Sequence, residues 1–94
     1  MFKDEYHPAV KSDLKKIDKV VQKEIKEIHI PAILEDPYNS EQLIGNLSGI
    51  YSYHFRKLKT EYRICYFIDE EKETVYILMI GKRENFYKIL QRRL

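Results

Sequence analysis

Residues 50–80 read IYSYHFRKLKTEYRICYFIDEEKETVYILMI, and this stretch decides the fold. Ile50, Tyr51, Tyr53 and Phe55 predict one strand, and Tyr62 to Ile68 a second, because β-branched and aromatic side chains suit a pleated surface. The charged run Asp69-Glu70-Glu71-Lys72-Glu73 is a turn signal. Val75-Tyr76-Ile77-Leu78-Met79-Ile80 is apolar at every position, as expected of a strand covered on both faces, and Gly81 ends it. Strands joined by such short connections form an antiparallel meander.

Toward the N-terminus the period changes. Val10, Leu14, Ile17, Val21, Ile25 and Ile28 recur at spacings of three and four, which is helical, and Lys, Glu and Asp fill most of the wet side. Pro8 suits a helix start. Asp18 is placed to cap a second helix and make a hairpin. Pro31 is expected to kink or end it. Phe2 and Tyr6 mark a short N-terminal strand, residues 36–49 read as a linker with loop character, and Phe86, Ile89, Leu90 and Leu94 as a short C-terminal helix. The fold class expected is α+β. An N-terminal helical hairpin packs on a small antiparallel sheet, the three-strand meander plus the short N-terminal strand, with the helices on one side.

A chain of 94 residues gives one domain, residues 1–94. No apolar run of about 18 residues and no signal-like start is present, so a cytoplasmic protein without a membrane partner is expected. The single cysteine, Cys65, lies among apolar strand residues and reads as a buried, inert thiol. His7, His29 and His54 are scattered, so no metal site and no cofactor is expected. Charge is uneven: residues 1–49 carry 7 Lys/Arg against 9 Asp/Glu, and residues 50–94 carry 10 against 6. All of the arginines (Arg56, Arg63, Arg83, Arg92 and Arg93) lie in the second half. Their planar forks suit phosphate, which points to a polyanion site there.

The element order, with four motifs, resembles the RelE/ParE toxin superfamily. HPAVKSDLKKID (7–18) opens the helices and ILEDP (33–37) closes them; LSGIYSYHFRKLKTEYRICYFI (47–68) spans the central strands and VYILMIGKRENFY (75–87) follows. The resemblance covers nearly the whole chain and implies a RelE-like toxin of a type II toxin–antitoxin system, neutralised by a cognate antitoxin. Its RelE branch implies a metal-free, ribosome-dependent mRNA endoribonuclease acting on codons in the A site. Carried over residue by residue, the catalytic positions are His54, Arg56, Arg63, Arg83 and Tyr87; Lys57, Lys59 and Lys82 are expected beside them as RNA-binding cations that hold the backbone as point charges. His54 departs from the branch, where lysine is common. The superfamily leaves two alternatives: a ParE-like inhibitor of DNA gyrase, and a catalytically silent antitoxin-binding protein.

The chemistry asks for groups of these types. Metal-free cleavage uses the 2′-hydroxyl as nucleophile, so a site must take its proton, stabilise the anionic phosphorus centre and protonate the leaving 5′ oxygen. Cations fixed at developing charge are often the largest contribution. His54 and Arg56 are two apart on one strand and share a face, and His54 is the candidate whose side-chain type titrates near neutrality. Tyr87 is suited to stacking on a base, orienting a phosphate or donating a proton.

Overall fold

A computed structural model describes all 94 residues. The sheet is five-stranded, in the order β1 (Lys3–Tyr6), β5 (Thr74–Lys82), β4 (Thr60–Asp69), β3 (Tyr51–Lys57), β2 (Glu41–Gln42). The expected meander is β3–β4–β5, antiparallel throughout. Two features correct the expected antiparallel sheet. β1 pairs parallel to β5, which makes the sheet mixed, and residues 36–49 are more than a linker. Within them Glu41–Gln42 pairs with Ser52 and Tyr51 as an edge strand. Leu43 N–H donating to Ile50 O (2.9 Å) continues that pairing.

One face of the sheet is packed by α1 (Val10–Lys15), α2 (Lys19–Glu24) and α3 (Ile30–Glu35). Asp18 is the N-cap residue of α2, as expected, with extended dihedrals but no side-chain cap bond. Gln22 Nε2 donates to the Leu14 and Ile17 carbonyls (2.6 and 2.7 Å) and so closes the end of α1. Between α2 and α3 lies a π-helical turn, Ile25–His29. It changes two expectations. The helix does not end at Pro31, because the wider turn just before it absorbs the missing donor. The extra residue also rotates the register, so His29 turns into the core, 8% exposed, and Ile28 turns out, 57% exposed.

Val75, Ile77 and Ile80 of β5 join Tyr62, Ile64 and Tyr66 in the core under the helices, with Val10, Ile17, Val21, Ile25 and Ile33. Leu78 and Met79 join a second core with Cys65, Phe86 and Leu90 on the opposite face. The second core exists because α4 (Phe86–Arg93) packs there, not with the other helices as expected. A register shift between Cys65 and Tyr66 lets adjacent β5 residues serve the same side. Burial pushes the Cys65 thiol up to about 11, which keeps it protonated and inert.

One ion pair ties the two faces together. Beyond Tyr6, β5 has no strand on its outer edge. There Asp13 of α1 accepts from the Ile80 N–H (3.1 Å) and from both terminal nitrogens of Arg93 (2.6 Å each). Arg93 in turn donates to the Leu78 carbonyl (2.9 Å). The pair satisfies an open strand edge and pins the end of α4 to α1.

Candidate active site

The face that α4 leaves partly open carries the cations. Across the middle strands His54 is registered with Arg63, and Arg63 with Gly81, so one row crosses β3, β4 and β5. One step toward the open end of the sheet, Arg56 faces Glu61. The strand alternation that buries Tyr62 and Ile64 under the helices aims Arg63 and Glu61 the other way.

Arg63 is the most constrained of the group, with its side chain 11% exposed. Its Nη2 and Nε donate to Glu61 Oε2 (3.1 and 3.4 Å), and its Nη1 donates to the Tyr87 hydroxyl. Its Cζ lies 5.0 Å from the Tyr87 ring centroid, a cation–π distance. Tyr87 reaches it because the neighbouring Phe86, 1% exposed, anchors the first turn of α4 in the second core. The tight connection before it places Asn85 in the left-handed region at φ 55°, a conformation asparagine tolerates. Arg63, and then the nearby Arg83 and His54, hold the Glu61 carboxyl below its ordinary range.

His54 has an acidic neighbour that sequence reasoning missed. Glu41, delivered by the edge strand β2, places Oε1 3.3 Å from His54 Nε2. Ser52 Oγ lies 3.0 Å from the same nitrogen. With Nε2 facing a carboxylate, a neutral imidazole carries its proton there and leaves Nδ1 free to accept one. Glu41 and Glu61 are thus site residues without a sequence signal of their own. Glu41 sits in what reads as a loop, and Glu61 reads as one more charge in a turn.

At the open end, Arg56, Lys59, Lys82, Arg83, Thr60, Glu61 and Glu84 line a cleft of about 490 Å³ with no hydrophobic residue in its wall. The ion pairs of the protein involve none of these four cations. The structure therefore brings together Arg56, Arg63, Arg83, Tyr87, His54 and Lys59. Lys82 begins on the helix side, registered opposite Tyr62, but lines the same cleft. Lys57 does not join them. It lies on the helix face with its Nζ 3.0 Å from Glu24 Oε1, because odd-numbered β3 residues point that way.

A family model described as the ParE-like toxin of type II bacterial toxin–antitoxin systems matches residues 5–91. The chain is a ParE-like toxin. Among solved structures, the toxin is similar to the RelBE2 toxin–antitoxin complex of Mycobacterium tuberculosis, at 26% identity and TM-score 0.76 over 87% of this chain and 98% of that one. A double arginine-to-alanine mutant of Escherichia coli RelE in the free state aligns at 20% identity and TM-score 0.77, over 99% and 97%. The RelE–RelB complex of Pyrococcus horikoshii aligns at 17% identity and TM-score 0.59, over 88% and 96%. The last two show the RelE-like fold. No curated protein matches the toxin.

Proposed function

We propose that the open sheet face cleaves messenger RNA on the ribosome through 2′-hydroxyl attack. The observation that carries the reading is Arg63, fixed between Glu61 and Tyr87 while Arg56 and Arg83 beside it form no direct ion pair. A largely enclosed guanidinium held by a carboxylate and a phenol, with cations beside it that form no ion pair, is suited to receive an anion. In this mechanism Arg56 and Arg83 take the scissile phosphate and Arg63 stabilises its developing charge. His54, oriented by Glu41, accepts the 2′ proton at Nδ1. Arg63 donates to the Tyr87 oxygen, which leaves the phenolic proton free for the departing 5′ oxygen. The balance closes: a P–O bond forms to the 2′ oxygen, the P–O5′ bond breaks, and the proton removed from the 2′-hydroxyl is matched by one delivered to the 5′ oxygen.

A second reading, inhibition of DNA gyrase, draws on the ParE-like description of the family. It gives no role to a cation cluster around a fixed arginine. Under either reading the partner is a cognate antitoxin, as in the RelBE complexes of the similar structures. The unpaired outer edge of β1 and the adjoining cleft of about 720 Å³ offer it strand and groove. Tyr6, Leu14, Ile30 and Leu34 wall that cleft, with Lys19 and Lys23 at its rim.

The test is an in vitro translation reaction with purified toxin, followed by analysis of message ends. Discrete cuts are expected, with a 5′-hydroxyl downstream and a 2′,3′-cyclic or 3′-phosphate upstream. Intact message together with loss of gyrase supercoiling overturns the proposal.

A further inference from the structure

The hairpin between β3 and β4 is built against its own backbone. Lys57 pairs with Thr60, leaving a two-residue loop, Leu58–Lys59. Both residues have positive φ, 49° and 70°. A two-residue hairpin loop of this hand favours Asn-Gly or Asp-Gly, since a Cβ crowds the backbone in the left-handed region. Here leucine and lysine occupy it instead. Leu58 is also 85% exposed, so its side chain gains nothing by burial in the free protein.

The other hairpin lacks this combination. Between Asp69 and Thr74 the loop is longer, only Glu73 has positive φ (48°), and Asp69 Oδ1 accepts from the Lys72 N–H (3.2 Å). Its tip is wholly charged.

Place separates the two turns as well. Lys59 and Thr60 are in the wall of the cleft that holds Arg56 and Arg83. The exposed leucine therefore stands at the mouth of an otherwise wholly polar, cation-rich site. Strain that is retained beside a functional site is a pointer to use. The pairing of an apolar tip with phosphate-binding cations suits single-stranded RNA, whose unstacked bases offer apolar faces next to each charge. Leucine is one of the side chains that nucleic-acid-binding proteins wedge between base steps.

We propose that the Leu58–Lys59 tip is an RNA-gripping finger. Leu58 packs on a base next to the scissile phosphate, and Lys59 holds the adjoining backbone phosphate. This rests on the RNA-cleaving reading above and adds the contact that holds the strand in register. The finger acts in binding and touches no reacting atom.

The experiment compares wild type, Leu58→Asn and Leu58→Met on purified ribosomes programmed with a short defined message. Thermal unfolding of the same samples is recorded. Asparagine accepts the left-handed region but has no apolar surface; methionine keeps the surface. Leu58→Asn is expected to melt a few degrees higher, to raise KM about tenfold and to leave kcat unchanged. Leu58→Met is expected to cleave with wild-type KM. If Leu58→Asn cleaves with wild-type KM, the leucine serves a protein partner or nothing, and the finger is overturned. If both variants lose activity equally, side-chain surface is not what matters, and the finger is again overturned. If wild type itself leaves the message intact, the RNA-cleaving reading fails first and takes the finger with it.

Discussion

His29 and His54 each stand beside a glutamate, on opposite sides of the same strand. His29 is enclosed, with 10% of its side chain exposed, and both ring nitrogens are engaged by Glu24 (2.9 Å) and Tyr53 (2.8 Å). Its ring stacks on Phe55 with centroids 3.8 Å apart, and Glu24 also holds Lys57. His54 is 36% exposed, its Glu41 partner 61% exposed, and the hydrogen bonds of the ring involve Nε2 alone. In this cluster under the helices, then, His29, Glu24, Lys57 and Tyr53 answer one another. On the open face His54 keeps a free nitrogen and Arg56 and Arg83 keep free charge. This contrast supports the proposed placing of function on the open face. A saturated network ties elements together, whereas a site must leave valence for something that arrives later.

The largest expected effect on stability lies where the two faces are tied together. Asp13→Ala strands the Arg93 guanidinium and the Ile80 N–H in a nearly buried position, and should lower unfolding free energy by roughly 3–5 kcal/mol in urea titrations. A loss under about 1 kcal/mol would mean that α4 is not pinned to α1. Second, Arg63→Ala should cut cleavage about a hundredfold or more, with a smaller change in stability, because the Glu61 carboxylate it leaves behind is more exposed than Arg93 is. If stability falls as far as activity, Arg63 is structural and the contrast between the faces collapses.

Third, Tyr53→Phe removes one partner of His29. It is expected to cost about 1–2 kcal/mol while message cleavage stays at the wild-type rate. Altered cleavage would show that the helix face takes part in chemistry. The smallest effect is in acid. His29 and then Lys57 hold the Glu24 carboxyl below its ordinary value of 4.5. A lowered carboxyl pKa contributes stability that is present above 4.5 and lost as pH falls through the folded value. The stability difference between wild type and Glu24→Gln should therefore be constant near neutrality and shrink below pH 4.5. A difference independent of pH would show that the network is not ionic.

The meander was legible because Val75 to Ile80 is apolar at every position and the two preceding strands are aromatic and β-branched. The cation cluster was legible in outline, since arginine is confined to the second half. Three things were not. The π-helical turn leaves no periodic signature, so the swap of Ile28 for His29 could not be read from spacing. The edge strand β2 is two residues long and owes its pairing to β3 rather than to its own propensity, so Glu41 was hidden with it. The side chosen by α4 depends on the register shift that turns both Leu78 and Met79 outward, a property of paired strands and not of either alone. Lys57 shows the converse limit. Neighbouring cations in sequence alternate across a strand, and one residue separates a cation of the open cleft from a structural ion pair.

The division of labour to be tested is that the open face does the chemistry and the helix face does not. Primer extension on a message translated in vitro reads it most directly, with wild type, Arg83→Ala and Tyr53→Phe side by side at equal folded concentration. Discrete cuts are expected with wild type and Tyr53→Phe, and their loss with Arg83→Ala. Equal cutting by Arg83→Ala and wild type would contradict that division.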